Sequence, residues 1–128
     1  MSKCILDSSS LIAMLNSETG ADMVESLLTH SIMSTINVAE VVAELDKKLS
    51  IAPEQSRVII LDVVNQIIPF DFDHAIEAGR LRKYTQKFGL SLGDRACIAL
   101  ALSTGYPVYT TDKIWSQLDL GCEVIVIR

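Results

Sequence analysis

The 128-residue chain is 49% hydrophobic and 21% charged, with 5% aromatics, which excludes a disordered tail and predicts one domain, residues 1–128, around an aliphatic core. Its formal net charge of −5 excludes a protein that grips nucleic acid by bulk attraction, but leaves open a nuclease with bound cations or one local basic face. Cys4, Cys97 and Cys122 are scattered, odd in number and without a Cys-x-x-Cys pair, so they read as small buried hydrophobes in a reducing cytosol. The apolar stretch after Met1 is too short for a signal peptide and no run approaches the ~20 residues of a membrane span, so a soluble, cytoplasmic protein is expected.

In chain order, Cys4-Ile5-Leu6 is a continuous apolar piece suited to a strand buried on both faces. Asp7-Ser8-Ser9-Ser10 supplies N-cap chemistry for a helix through 11–15, and a second helix is predicted over 19–29. A strand over 31–34 follows, then a long helix capped by Thr35 and reaching Leu49. Pro53 fits the first turn of the next helix, and 67–70 reads as a strand. Asp73 is the predicted cap of a helix over 75–88 ended by Gly89; Ser91 begins another, ended by Gly105. Residues 108–110 and 124–127 complete five short strands. Strands alternating with helices predict an α/β domain around a mostly parallel sheet, with ligands beyond the carboxyl ends of its strands.

Four acids stand at the edges of apolar segments, where a charge needs a reason. Asp7 closes the first strand, Glu40 lies in Asn37-Val38-Ala39-Glu40-Val41, Asp94 opens the run from Ala96 to Leu102, and Asp112 follows Val108-Tyr109-Thr110-Thr111. Each has a plain structural alternative. Asp7 and Asp112 can cap the turns that follow them, and Ser91-Leu92-Gly93-Asp94 has capping-box spacing. Glu40 shares a helix face with Asn37 and Glu44, which a solvated surface would explain equally well. Cap and metal ligand are compatible roles, however, and four gathered carboxylates would suit a hard divalent cation and phosphodiester cleavage. Parallel strands bring Asp7 and Asp112 out at one edge; spacing alone does not bring Glu40 and Asp94 to them.

Further along, Arg80, Lys83, Tyr84 and Lys87 fall on one helix face, either a solvated side or a phosphate-backbone contact with an aromatic for stacking. Arg95 beside Asp94 either balances the acid cluster, touches phosphate or makes a simple surface ion pair.

Taken in order, Ile5-Leu6-Asp7-Ser8-Ser9, Asn37-Val38-Ala39-Glu40-Val41, Leu92-Gly93-Asp94-Arg95-Ala96 and Val108-Tyr109-Thr110-Thr111-Asp112-Lys113-Ile114-Trp115 resemble the PIN-domain nucleases, most closely VapC-type toxins of toxin–antitoxin pairs. The resemblance spans nearly the whole chain. It implies a three-layer α/β/α sandwich with a five-stranded sheet and endoribonuclease activity leaving 5′-phosphate and 3′-hydroxyl ends. It further implies that Asp7, Glu40, Asp94 and Asp112 hold magnesium or manganese, with Ser8 or Ser9 and Thr111 beside them. Implied partners are an RNA substrate, a small antitoxin whose C-terminal segment covers the site, and a second copy in a homodimer. Ser10 departs from the small apolar residue usual there, which predicts a loosely packed first helix. Ile114 stands where some members carry a further acid, which removes one ligand for a second metal.

Two other phosphoryl-chemistry folds fail on residues. A haloacid-dehalogenase-type phosphotransferase needs an Asp where Ser9 stands, and a receiver domain needs an acceptor Asp after a central strand, whereas Asp62 sits in helical periodicity. The remaining alternative is a non-catalytic protein-binding module whose acids are only caps.

Overall fold

The computed structural model describes residues 2–128. Five strands, β1 (Cys4–Leu6), β2 (Ser31–Ser34), β3 (Gln66–Ile68), β4 (Val108–Thr110) and β5 (Val124–Val126), form one sheet in the order β3-β2-β1-β4-β5. Every neighbouring pair is parallel. Six α-helices cover it: α1 (Ser8–Leu15), α2 (Ala21–Leu27), α3 (Thr35–Leu49), α4 (Pro53–Val63), α5 (Phe72–Thr85) and α6 (Leu92–Thr104).

Side chains alternate across each strand, and the alternation builds two cores. Cys4, Leu6 and Met33 point to one face and pack with Leu11, Val24, Val41, Leu45 and Ile60 from α1 to α4. Ile5, Ile32 and Val108 point to the other and pack with Leu81, Ile98, Leu100 and Trp115. The result is the α/β/α sandwich expected, with helices α5 and α6 forming the second outer layer. At ~1.5–3 kcal/mol for each fully buried large aliphatic side chain, these faces dominate the favourable side of folding.

Most boundaries follow local capping chemistry. The side chain of Asp7 accepts the Ser10 amide at 2.8 Å and caps α1. Ser91 and Asp94 exchange a reciprocal pair at 3.1 and 2.9 Å, the capping box read from the sequence. Pro53 takes the first position of α4, where its missing N–H costs nothing. Two caps fall elsewhere than predicted. Ser34, not Thr35, caps α3, accepting from Ile36 N at 3.3 Å, because the Thr35 hydroxyl accepts the Phe70 amide at 2.9 Å. Asp71, not Asp73, caps α5, accepting the His74 amide at 2.9 Å, so the helix begins one turn earlier. Strand β3 ends at Ile68 because Pro69 has no N–H for the ladder. Helix α2 starts only at Ala21, since Gly20 lies at φ 96°. Cys4 and Cys97 are buried as expected, whereas Cys122 is half-exposed.

Ser10 does not loosen α1. Its fully buried hydroxyl donates to the Tyr109 carbonyl at 2.7 Å, fastening the helix to β4. We therefore expect Ser10→Ala to destabilise the protein by about 1 kcal/mol in denaturant unfolding. An unchanged or raised midpoint would show that the hydroxyl is dispensable and the loose-packing view correct.

Candidate active site

Connections run outward from β1 to β2 and β3, then return to β4 on the other side of β1. This reversal leaves a crevice outside the carboxyl ends of β1 and β4, the place where open α/β sheets bind ligands. Asp7 is the first residue beyond β1, and Asp112 lies just beyond β4.

Asp7 is only 4% exposed, and a buried carboxylate is costly unless its lone pairs are met. The Ser9 hydroxyl lies 2.7 and 2.9 Å from Oδ1 and Oδ2, the Ser10 amide donates to Oδ1 at 2.8 Å, and the Thr110 hydroxyl donates to Oδ2 at 2.6 Å. Burial pushes the Asp7 carboxyl up to about 6, against the lowering pull of the hydrogen bonds from Thr110, Ser10 and Ser9. The hydroxyls pass the connection on. Ser9 Oγ accepts the Thr111 amide at 3.1 Å, and Thr110 Oγ1 accepts the Asp112 amide at 3.1 Å. The end of β1 is thereby stitched to the turn after β4.

Glu40 comes from the second turn of α3. Asn37, one turn before it, is 1% exposed and donates through Nδ2 to Glu40 Oε1 at 2.9 Å and to the Gly93 carbonyl at 3.0 Å. Asp94, half-buried at the start of α6, accepts the Ser91 amide through Oδ2. Burial raises the Asp94 carboxyl, and the charges of Glu40 and Asp112 raise it further, against the Ser91 hydrogen bonds. Asp112 is exposed and accepts the Ile114 amide through Oδ1 at 3.1 Å. Beneath them lies Cys97, fully enclosed; burial drives its thiol well up, and Asp7, Asp94 and Glu40 each add to that shift. Asp7 from beyond β1, Glu40 from α3 and Asp94 from α6 thus lie within electrostatic reach of Cys97, and Asp112 within reach of Asp94.

The four acids share this edge without closing into a cage. Among the described residues, no three His, Cys, Asp or Glu side chains stand close enough together to hold a metal ion. Like charges ~4 Å apart repel by about 4 kcal/mol at an effective dielectric near 20, and each carboxylate here is turned toward local N–H or O–H donors. The cap roles read from the sequence are therefore real, and Asp94 and Asp112 each commit one oxygen to them. In donor chemistry the group still fits a hard divalent cation: it is made of carboxylate oxygens only, repelling one another across one crevice.

The remaining predicted residues divide. Ser9 touches Asp7 directly. Thr111 joins through its backbone amide, not its hydroxyl, while Ser8 lies beside Ser9 and Thr111 on the wall of a polar cavity of about 270 Å³. Two residues of the site were missed. Thr110 shares the buried side of β4 with Val108, so strand periodicity pointed to it over Thr111. Asn37 carried only its helical spacing from Glu40. On α5, Arg80 and Lys83 flank the Tyr84 ring at 5.8 and 5.2 Å, whereas Lys87 lies past the end of that helix in a 3-10 turn, 5.1 Å from the Phe88 ring. Arg80 is also paired with Glu77, which draws charge from the stripe. Arg95 Nη1 donates to the Ala78 carbonyl at 2.8 Å and clamps α6 to α5, which occupies one of its donors.

With fold and site in view, the chain belongs to the PIN domain family, which it matches over residues 4–120. No curated protein sequence matches it. Solved structures do resemble it. A DNA-bound VapBC from Salmonella typhimurium has a TM-score of 0.74 at 21% identity, covering 100% of both chains. A toxin–antitoxin complex from Klebsiella pneumoniae gives 0.74 at 21% identity, covering 98% of each. VapC20 of Mycobacterium tuberculosis, described as a sarcin–ricin loop cleaving toxin, gives 0.76 at 15% identity, covering 94% of this chain and 99% of its own.

Two outcomes follow from the site. Thr110→Val removes a donor from a buried carboxylate and an acceptor from the Asp112 amide, so it should cost about 1–3 kcal/mol in thermal or denaturant unfolding. Wild-type stability in that variant would mean the hydroxyl is replaceable. Separately, millimolar magnesium or manganese should raise the melting temperature by relieving the mutual repulsion of the acids. A flat response across that range counts against a divalent site.

Proposed function

We propose that this chain is a magnesium- or manganese-dependent endoribonuclease of the VapC type, a single-domain toxin acting in the cytoplasm and silenced by an antitoxin. What supports the reading is the emergence of Asp7 and Asp112 at the strand-order reversal of a PIN-domain sheet, with Glu40 and Asp94 within electrostatic reach of the same edge. The cytoplasmic setting accords with free cysteines and with the absence of any helix, among the described residues, long and apolar enough to cross a membrane.

A bound divalent cation supplies charge neutralisation for the phosphate oxygens and a water of lowered pKa. The protein groups take distinct parts around that chemistry. Asp7, fixed by three donor groups, is the rigid anchor of the ligand set. Asp94 and Asp112 offer their oxygens not used in capping. Glu40, held on Asn37, either completes the set or orients the attacking water by accepting its proton. Ser9 and Thr110 keep Asp7 in place as charge builds at the phosphate. Hydrolysis at this site is expected to leave a 5′-phosphate and a 3′-hydroxyl.

Substrate and partners follow the structural relatives, whose descriptions name a toxin–antitoxin complex and a sarcin–ricin loop cleaving toxin. The substrate is structured RNA, reached through backbone shape more than base sequence, with Arg80, Lys83, Tyr84 and Lys87 as an outlying contact. The protein partners are an antitoxin that covers the crevice and a second copy of the chain.

Asp7→Asn tests the reading directly. The groups on Oδ2 are hydroxyls, which can turn to accept from an amide, so the fold should survive while cleavage of a structured RNA falls to background. Activity equal to wild type would remove Asp7 from the site. The rival reading, a protein-binding module, draws on the cap role of each acid and on the lack of a closed three-ligand cluster. Cleavage that appears with magnesium and stops with a chelator excludes it.

A further inference from the structure

Gly93 occupies the second position of α6, where glycine weakens a helix relative to alanine. It is not among the glycines with positive φ, so the backbone does not require it. Its reason is lateral. A Cβ at Gly93 would lie 2.1 Å from Glu40 Oε2, 2.5 Å from Cδ and 2.6 Å from Oε1. The Glu40 carboxylate therefore rests flat against the bare α-carbon of a neighbouring helix. Asn37 holds it from the side: one amide hydrogen goes to Glu40 Oε1 and the other to the carbonyl of Gly93 itself. Both partners are acceptors, which fixes the orientation of the amide. Asn37 Oδ1 is buried with no partner among the described protein groups, an arrangement that costs stability. Two locally unfavourable choices, a glycine in a helix and an amide buried with one end unmet, meet at one carboxylate.

We infer that Asn37 and Gly93 are positioning residues that seat the Glu40 carboxylate at the crevice: Gly93 by giving it room, Asn37 by fixing its rotation and tying α3 to α6. The inference rests on the nuclease reading for its consequence but not for its geometry. An acid on a flexible three-bond stem contributes to catalysis only if it is held, and small misplacements are costly.

The test uses Gly93→Ala and Asn37→Leu, the second close in shape to Asn but without a donor, each in the wild-type and Glu40→Ala backgrounds. Thermal unfolding without metal, manganese affinity by calorimetry, and magnesium-dependent cleavage of a structured RNA are measured. In the wild-type background Gly93→Ala should leave the protein folded, because the group in its way is the movable end of a side chain. Cleavage should nevertheless fall about 10–100-fold and manganese binding should weaken about tenfold. In the Glu40→Ala background the three atoms nearest the added methyl are gone, so Gly93→Ala should give a melting temperature about 2–4 °C more favourable there, relative to its parent, than in the wild-type background. Asn37→Leu should weaken manganese binding only when Glu40 is present. Wild-type cleavage and manganese affinity in Gly93→Ala, or thermal effects equal in the two backgrounds, overturn the inference. Should the wild-type protein cleave no RNA, the nuclease reading falls by itself, and the metal-free thermal cycle still decides the seat: unequal effects uphold it, equal effects overturn it.

Discussion

The structure turns on a carboxylate placed where a carboxylate is hard to keep. Asp7 lies just beyond a strand buried on both faces, almost without solvent, and burial pushes its carboxyl up toward the protonated form. Ser9, the Ser10 amide and Thr110 oppose that, and two of these groups hand the connection on to the backbone of Thr111 and Asp112. Cap of α1, link between β1 and the turn after β4, and candidate ligand are one network. A hydrogen-bonded cluster of this kind rigidifies its surroundings when fully satisfied and is costly when partly broken. Its position follows from topology, since β1 is the central strand and β4 its partner across the reversal in strand order.

A second tie completes the site from the helical side. Asn37 and the bare α-carbon of Gly93 bring the starts of α3 and α6 together, and the Glu40 carboxylate lies between them. The two ties differ in kind. The first compensates a buried charge with hydrogen bonds, while the second uses the absence of a side chain. Together they set acids from non-adjacent segments around Cys97 without letting them close on one another. Their local donors account for the distribution: each acid is turned toward the nearest N–H or O–H group, and repulsion is spread along the edge.

Much of the fold was legible because short apolar strands and periodic helices report their burial directly. The strands at 31–34 and 108–110 match their observed limits, and the capping box at Ser91 and the first-turn Pro53 mark true helix starts. The misplaced caps share a cause. Thr35 and Asp73 have the right chemistry, but Thr35 is drawn to the distant Phe70 amide, and Asp71 captures the His74 amide first. Arg95 likewise reads as a surface cation until α5 packs against α6 and offers it the Ala78 carbonyl. Local sequence lists what a side chain is able to bind; packing decides which partner arrives.

The sequence by itself determined an α/β sheet with two apolar faces, the emergence of Asp7 and Asp112 at the same edge, and the capping role of Asp94, because periodicity and capping act within a few residues. Only the tertiary structure decided that Glu40 rests on Gly93, that Asn37 grips both, and that Thr110 instead of the Thr111 hydroxyl holds Asp7. Those contacts join segments far apart in the chain. They depend on how closely two helix starts approach and which way one strand end faces, and no local spacing records either.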